Sequence, residues 1–181
     1  MKKLGICLLL FCVGLFAFFQ ACVPRPTFPF VPNIKFESIS KVTIRSATDP
    51  KDSIIVAIRF EDGNGDLGLG PTDTLPPYQT LNADRTPNEF FFNYYVRMFR
   101  KNRGRYEEVV FTGLTLNGRF PLLNTSRQNR PLQGVIRRGI EIRTAAYPFV
   151  NDTVRFEIQI ADRALNKSNI IRTDSIVINT R

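Results

Sequence analysis

Apolar and polar residues alternate along most of this chain after residue 33, and this pattern restricts the fold more than any other feature of the sequence. Alternation at every second residue gives a β-strand one apolar face and one polar face. It marks seven segments, with apolar positions at Ile34, Phe36, Val42 and Ile44; Ile54, Val56, Ile58 and Phe60; Phe90, Phe92, Tyr94, Val96 and Met98; residues 106–111; Ile136, Ile140 and Ile142; Val154, Phe156, Ile158 and Ile160; and Ile176 with Ile178. No segment has a sustained helical period, so the sequence predicts an all-β fold.

Seven short strands, with proline and glycine largely confined to their connections, are typical of an antiparallel β-sandwich, and we predict the immunoglobulin-like topology. Residues 101–104 are expected to form the turn of a hairpin. In the first strand, Lys41 and Thr43 are predicted to lie on the polar face. Residues 162–169 resemble the D-x-A-G-N-x-S hairpin of bacterial immunoglobulin-like and fibronectin-like domains, with Leu165 where glycine is usual. That resemblance implies that the last two strands are joined there.

The first residues have the organisation of a bacterial export signal. Lys2 and Lys3 precede an uncharged apolar run over residues 4–19, which is short for a membrane span of about 20 residues. The segment Phe19-Gln20-Ala21-Cys22 resembles the lipobox of bacterial lipoproteins, with Phe19 where an aliphatic residue is commoner. That resemblance implies that residues 1–21 are removed and that Cys22 carries the lipid that anchors the protein to a membrane. The alternatives are an uncleaved signal anchor and a plain secretory peptide cut elsewhere.

Composition limits the chemistry of the mature chain. The sequence has no histidine and no tryptophan, and two of its three cysteines, Cys7 and Cys12, lie in the predicted signal peptide. These absences exclude histidine-based acid–base catalysis, Ser-His-Asp triads, the usual His/Cys zinc sites and a disulfide framework. The mature chain is long enough for one domain with a substantial core, which we assign to residues 34–181.

A proline-rich segment separates Cys22 from the first strand. Prolines at positions 24, 26, 29 and 32 favour an extended, stiff polyproline conformation, so residues 22–33 are predicted to form a lipidated tether. The alternative is that the aromatic residues of this segment lie in the bilayer interface. Residues 23–36 contain no acidic residue, whereas surface-exported lipoproteins of the Bacteroidota often carry an acidic run after the cysteine. We therefore expect an outer-membrane lipoprotein that faces the periplasm.

The chain is basic, with a net charge of +9, and most of the excess is arginine. Arginine suits phosphate and carboxylate groups, so the charge favours an anionic envelope polymer as a partner; nucleic acid is not expected for an exported lipoprotein. The alternative is a solvated basic face without a partner. The basic residues form two clusters along the sequence, one at Arg97, Arg100, Lys101, Arg103 and Arg105, the other at Arg119, Arg127, Arg130, Arg137, Arg138 and Arg143.

The loop after the second strand, residues 60–68, carries the most specific motif. Asp62, Asn64 and Asp66 have the spacing of the first three ligands in calcium loops of the D-x-[DN]-x-[DN]-G type, which makes Ca²⁺ the one cofactor that the sequence indicates. Leu67 replaces the glycine of those loops, and Asp73 stands where they have glutamate. The alternative is a glycine-rich turn whose side chains hydrogen-bond their own backbone. The stretch also resembles the F-x-D-G-x-G-D-[IL]-G segment of short lipoproteins of the Bacteroidota, which implies a cell-envelope location and no particular activity.

Four tripeptides resemble the D-[ST]-aliphatic O-glycosylation motif of exported Bacteroidota proteins. The resemblance implies sugar attachment at their central hydroxyls, and Thr74 is the most accessible on sequence grounds because Pro71 and Pro76 flank it in a loop. The alternative is structural, since Asp-Ser and Asp-Thr pairs also end turns before strands. The four hydroxyl residues are Ser53, Thr74, Thr153 and Ser175.

Taken together, these features predict a lipid-anchored envelope protein that acts as a binding or structural module, with another envelope protein or an anionic polymer as partner, and that is not an enzyme. The alternative is a hydrolase that cleaves envelope polysaccharide with paired carboxylates set across a cleft. The acidic residues available for that chemistry are Glu61, Asp62, Asp66, Glu107, Glu108, Glu141 and Glu157.

Overall fold

The computed structural model describes residues 26–126 and 128–179, and within these ranges the fold is all-β, as predicted. The predicted signal peptide, Cys22 and Arg127 lie outside the described residues. No helix in the described ranges is long and apolar enough to cross a membrane. The strands are β1 (Asn33–Ile44), β2 (Lys51–Asp62), β3 (Tyr94–Asn102), β4 (Arg105–Val109), β5 (Leu132–Arg143), β6 (Asp152–Ile160), β7 (Ile171–Arg172) and β8 (Ile176–Ile178).

Two antiparallel sheets form the domain, consistent with a β-sandwich. The first sheet has the order β1-β2-β5, and the second has the order β4-β3-β6-β7 with β8 also paired to β6. Apolar side chains from both sheets join one buried cluster, as the alternation predicts. Its largest fully buried members include Tyr94, Phe156, Ile34, Ile54, Ile58, Met98 and Ile160.

The alternation in β1 is interrupted by a β-bulge. Phe36 pairs with Ile58 but Ser38 pairs with the next residue, Ala57, so β1 has one extra residue at Glu37. A shift of one residue exchanges the two faces of a strand. The prediction that Val42 and Ile44 share the buried face of Ile34 and Phe36 is therefore wrong: Val42 is 62% exposed and Ile44 is 39% exposed.

Lys41 and Thr43 turn inward as a result of the bulge, and they contact the fully buried carboxylate of Asp52. The Thr43 hydroxyl donates a hydrogen bond to Asp52 Oδ1 over 2.6 Å, and Lys41 Nζ lies 3.7 Å from the same oxygen. The backbone N–H of Asn179 donates to Asp52 Oδ2. A buried charge needs such partners, so this cluster joins β1, β2 and the end of β8.

The strand predicted from Phe90 begins only at Tyr94. Residues Glu89–Phe91 form a short 3-10 helix, and the side chain of Asn88 caps it by accepting a hydrogen bond from Phe90 N. This is an ordinary role for asparagine at a helix N-terminus. The predicted hairpin of β3 and β4 is confirmed, with Arg103 and Gly104 in its turn, both at positive φ.

Most of the features singled out in the sequence lie at one end of the sandwich. Antiparallel pairing places Asn33 beside Glu61, Asp62 beside Leu132, and Tyr94 beside Ile160, so their flanking loops meet there. We call this the tether end; it comprises residues 26–33, 62–93, 118–126, 128–131 and 161–170. The tether itself contacts the domain, because Gly63 N donates a hydrogen bond to Pro29 O over 2.8 Å.

Candidate functional site

The loop from Asp62 to Asp66, which we call the acid loop, packs against the hairpin after β6. Arg163 N donates a hydrogen bond to Asp66 O over 3.2 Å, and Leu67 pairs with Asp162. Within the hairpin, both oxygens of the Asp162 carboxylate accept hydrogen bonds from Asn166. Leu165 has φ of 67°, a conformation that favours glycine and so explains why glycine is usual at this position of the motif.

Three oxygens of the acid loop have no hydrogen-bond partner among the described residues. They are Asp62 Oδ1, Asn64 Oδ1 and Asp66 Oδ1, and all three atoms are buried. Asp62 Oδ2, by contrast, accepts from Asp66 N over 3.0 Å, as expected for a self-bonded turn. The plain-turn interpretation therefore accounts for one carboxylate oxygen of Asp62 and leaves three buried acceptors unexplained. Buried acceptors without donors are rare in proteins.

The acid loop concentrates negative charge, and no lysine or arginine in the described part of the chain forms an ion pair with its carboxylates. Burial, together with the smaller effect of the Asp66 charge, raises the pKa of Asp62 from 3.8 to about 7. Burial and the nearby Asp162 also raise the pKa of Asp66. The guanidinium of Arg163 is directed elsewhere: it pairs with both oxygens of Asp73, one at 3.2 Å, and holds the pKa of Asp73 below its usual range.

Asp73 stands at the twelfth position counted from Asp62, where calcium loops have a glutamate ligand, and the structure gives it other partners. Asp73 lines the same cavity as Asp66, but its carboxylate pairs with Arg163 and accepts from Gly70 N over 2.7 Å, so its oxygens are already engaged. Within the described ranges, no three histidine, cysteine, aspartate or glutamate side chains are grouped to hold a metal ion. The acid loop instead offers two carboxylates and the amide oxygen of Asn64.

A groove of about 690 Å³ lies on the outer face of the second sheet. Its apolar lining includes Phe92, Tyr95 and Ile170, and its polar lining includes the amides of Asn88, Asn117 and Gln159. The charged side chains of the groove form ion pairs. Lys167 pairs with Glu89, and Glu157 pairs with both Arg97 and Arg172. Although burial opposes it, the two guanidinium groups hold the pKa of Glu157 below its usual range.

The carboxylates considered for glycoside hydrolysis do not face one another across this groove. Of the seven, all of which the structure describes, only Glu157 lines the groove, and both its oxygens bond to arginine. Asp62 and Asp66 share the acid loop. The other four have partners of their own, namely Lys35 for Glu61, Asn102 for Glu107, Arg97 for Glu108, and Lys51 with Arg143 for Glu141.

The two basic clusters of the sequence do not form one basic face. Arg97 and Arg100 are engaged in ion pairs, while Arg103 and Arg105 are exposed at the hairpin tip opposite the tether end. Arg119 and Arg130 lie at the tether end. Arg137 is exposed on β5, whereas Arg138 is half-buried over the ring of Tyr94.

The four proposed glycosylation residues differ in surroundings. Thr74 is exposed in the long loop between β2 and β3, and Ser175 is exposed but shares a hydrogen bond with the Tyr106 hydroxyl. Ser53 and Thr153 are partly buried inside β2 and β6, where Ser53 is flanked by paired residues on both sides. Thr74 therefore offers the most space for a sugar.

Sequence reasoning missed that Asp162 lies beside the acid loop and that Tyr95, Lys167 and Ile170 share a groove. The hairpin motif marked Asp162, but no local pattern links it to a loop about a hundred residues earlier in the chain. Comparison with known proteins adds nothing here, since no family model, no curated protein and no solved structure matches the chain.

Proposed function

We propose that this protein is a lipid-anchored immunoglobulin-like module of the bacterial cell envelope that binds another envelope protein in the groove on its second sheet. Cys22 carries the anchor, and the protein sits on the outer membrane and faces the periplasm. The observation that carries the proposal is the groove itself, in which exposed apolar groups lie beside amide side chains that hydrogen bonds to the backbone hold in place. Ile170, for example, is 52% exposed at its border.

The chemistry of the groove favours a protein partner over a polyanion. Its cationic groups, Arg97 and Lys167, are already paired with carboxylates, so they offer little net attraction to a charged polymer. The apolar and aromatic groups remain available, since Ile170 is exposed and Phe92 and Tyr95 are half-buried, and aromatic residues are enriched at the centres of protein interfaces. Lys167 also lies over the rings of Phe90 and Tyr95, which fixes the aromatic surface in place.

The ion pairs of Glu157 with Arg97 and Arg172 weigh against the hydrolase alternative. A general acid must hold a proton near neutral pH, which requires a raised pKa, whereas the pKa of Glu157 is lowered. Its oxygens are also occupied by two guanidinium groups. Asp62 does have a raised pKa, but it lies in the acid loop and does not line the groove. Release of sugar from envelope polysaccharide by the purified protein, abolished by Glu157→Gln, would support the hydrolase and contradict the module.

Site-specific photo-cross-linking in intact cells tests the proposal. A photoreactive amino acid replaces Ile170 at the groove, and the matched control replaces Ile55, an isoleucine that is 42% exposed on β2 of the other sheet. We expect a discrete protein adduct from position 170 that disappears with Phe92→Ala in the same chain. Equal adducts from positions 170 and 55, or none from 170, would contradict the assignment of the groove.

A further inference from the structure

We propose that the acid loop, residues 62–66, binds a calcium ion through Asp62, Asn64 and Asp66 at the junction of the tether and the domain. The site is independent of the groove and of any partner that binds there.

The first argument is the three unpartnered oxygens. Asp62 is fully buried, and its Oδ1 meets no donor in the described part of the chain. Asn64 Oδ1 and Asp66 Oδ1 are buried in the same five-residue loop and accept no hydrogen bond of good geometry from the described residues, although the backbone N–H of Ala164 lies near enough to the Asp66 carboxylate to lower its pKa. A buried oxygen without a partner is costly, and three at alternate positions of one loop indicate a ligand that supplies positive charge.

The second argument is that no lysine or arginine among the described residues forms an ion pair with Asp62 or Asp66, although the charge of Arg163 partly offsets the raised pKa of Asp66. The nearest candidate, Arg163, uses its guanidinium on Asp73, and its backbone N–H on Asp66 O. The Asp162 carboxylate adds a further negative charge beside the loop while its oxygens are taken by Asn166. A divalent ion would neutralise the charge of Asp62 and Asp66 together.

The ligand chemistry selects calcium. Two carboxylates and an amide carbonyl at positions i, i+2 and i+4 are all-oxygen ligands, which exclude a preference for zinc or copper. Calcium accepts mixed oxygen ligands in irregular geometry and completes its shell with backbone carbonyls and water, whereas magnesium demands a near-ideal octahedron.

A calcium ion in the acid loop would also affect how the tether is held, because the tether contacts this loop. The tether crosses the loop at Gly63, where the backbone oxygens of Phe28 and Pro29 approach so closely that only glycine fits. On the other side, Arg130 N donates to Asn64 O over 3.2 Å. An ion that orders the loop would therefore also fasten the root of the tether to the domain.

Calorimetric titration and thermal unfolding of the full mature chain in detergent test this site. The protein is stripped with a chelator and then titrated with CaCl₂, with MgCl₂ as a separate arm. The variants are Asp62→Asn and Asp66→Asn, and the matched control is Asp84→Asn, which removes an exposed charge in the loop between β2 and β3. Circular dichroism in chelator establishes that each variant is folded.

We expect calcium to bind the wild-type chain and the Asp84→Asn control and to raise their melting temperatures, because a ligand specific for the native state stabilises it. Each loop variant should bind calcium at least tenfold more weakly and show no rise. Absence of binding heat and of any melting shift in the wild-type chain would overturn the proposal. So would an undiminished response in Asp62→Asn and Asp66→Asn, or a response to magnesium as strong as that to calcium.

Discussion

Replacement of Gly63 by alanine tests how firmly the tether is fixed to the domain. A Cβ atom at this position would lie 2.3 Å from Phe28 O and 2.9 Å from Pro29 O, and both are backbone atoms that cannot rotate away. The tether must therefore move, which breaks the 2.8 Å hydrogen bond from Gly63 N to Pro29 O. Loss of that bond and part of the local packing should cost about 1–2 kcal/mol. For a domain of this size, that is a fall in melting temperature of about 2–8 °C.

The matched control is Gly139→Ala on β5, because a Cβ there would meet no atom within 4 Å. We expect that variant to be as stable as the wild-type chain or slightly more so, since alanine restricts the unfolded chain more than glycine does. Hydrogen exchange at amide 63, followed by mass spectrometry, reports the tether directly and should accelerate only in Gly63→Ala. Equal melting temperatures for the two variants, with amide 63 still protected, would refute the docking of the tether.

Three further predictions concern the anchor, the acid loop and the glycosylation motif. Cys22→Ala should abolish incorporation of a tagged fatty acid, since it removes the only cysteine of the mature chain; retained label would contradict lipidation at Cys22. Burial raises the pKa of Asp62 from 3.8 to about 7, so between these pH values the folded state holds a proton that the unfolded state has already lost. In chelator, the free energy of unfolding should therefore fall between about pH 4 and pH 7. The fall should be at most on the order of 4 kcal/mol, and urea unfolding of Asp62→Asn should lack most of it; an identical pH profile in the variant would contradict the shift. From the native host, the mature chain should be heavier than the lipidated polypeptide and Thr74→Ala should lose mass equal to a glycan, whereas equal masses would exclude a sugar there.

The sequence could predict those parts of the fold that depend on local pattern. Val154 to Ile160 alternates without interruption, and in Ile54 to Phe60 every second residue is a large apolar one; the two segments form buried strands in different sheets. The pattern failed in β1, because the extra residue at Glu37 is a bulge with no signature in the local sequence. It also failed at Phe90, because the run of aromatic residues resembles a strand, whereas Asn88 caps a short 3-10 helix there.

The sequence could predict only part of the candidate site, because the rest depends on contacts between distant segments. The spacing of Asp62, Asn64 and Asp66 is a local feature, so the sequence could identify these residues as a set. Whether their oxygens have donors depends on distant segments, namely the tether, the hairpin at Asp162 and the segment at Arg130. Likewise, the pairing of Arg163 with Asp73 spans 90 residues and decides that Asp73 is not a ligand.

A crystal structure of the mature chain grown with calcium tests most directly whether the three unpartnered oxygens are metal ligands. The predicted result is one strong spherical density peak, with anomalous signal, about 2.3–2.6 Å from Asp62 Oδ1, Asn64 Oδ1 and Asp66 Oδ1. Crystals grown in chelator should lack the peak. If the acid loop is the same in both crystals, with these oxygens hydrogen-bonded to water or to one another and no ion between them, the calcium site does not exist.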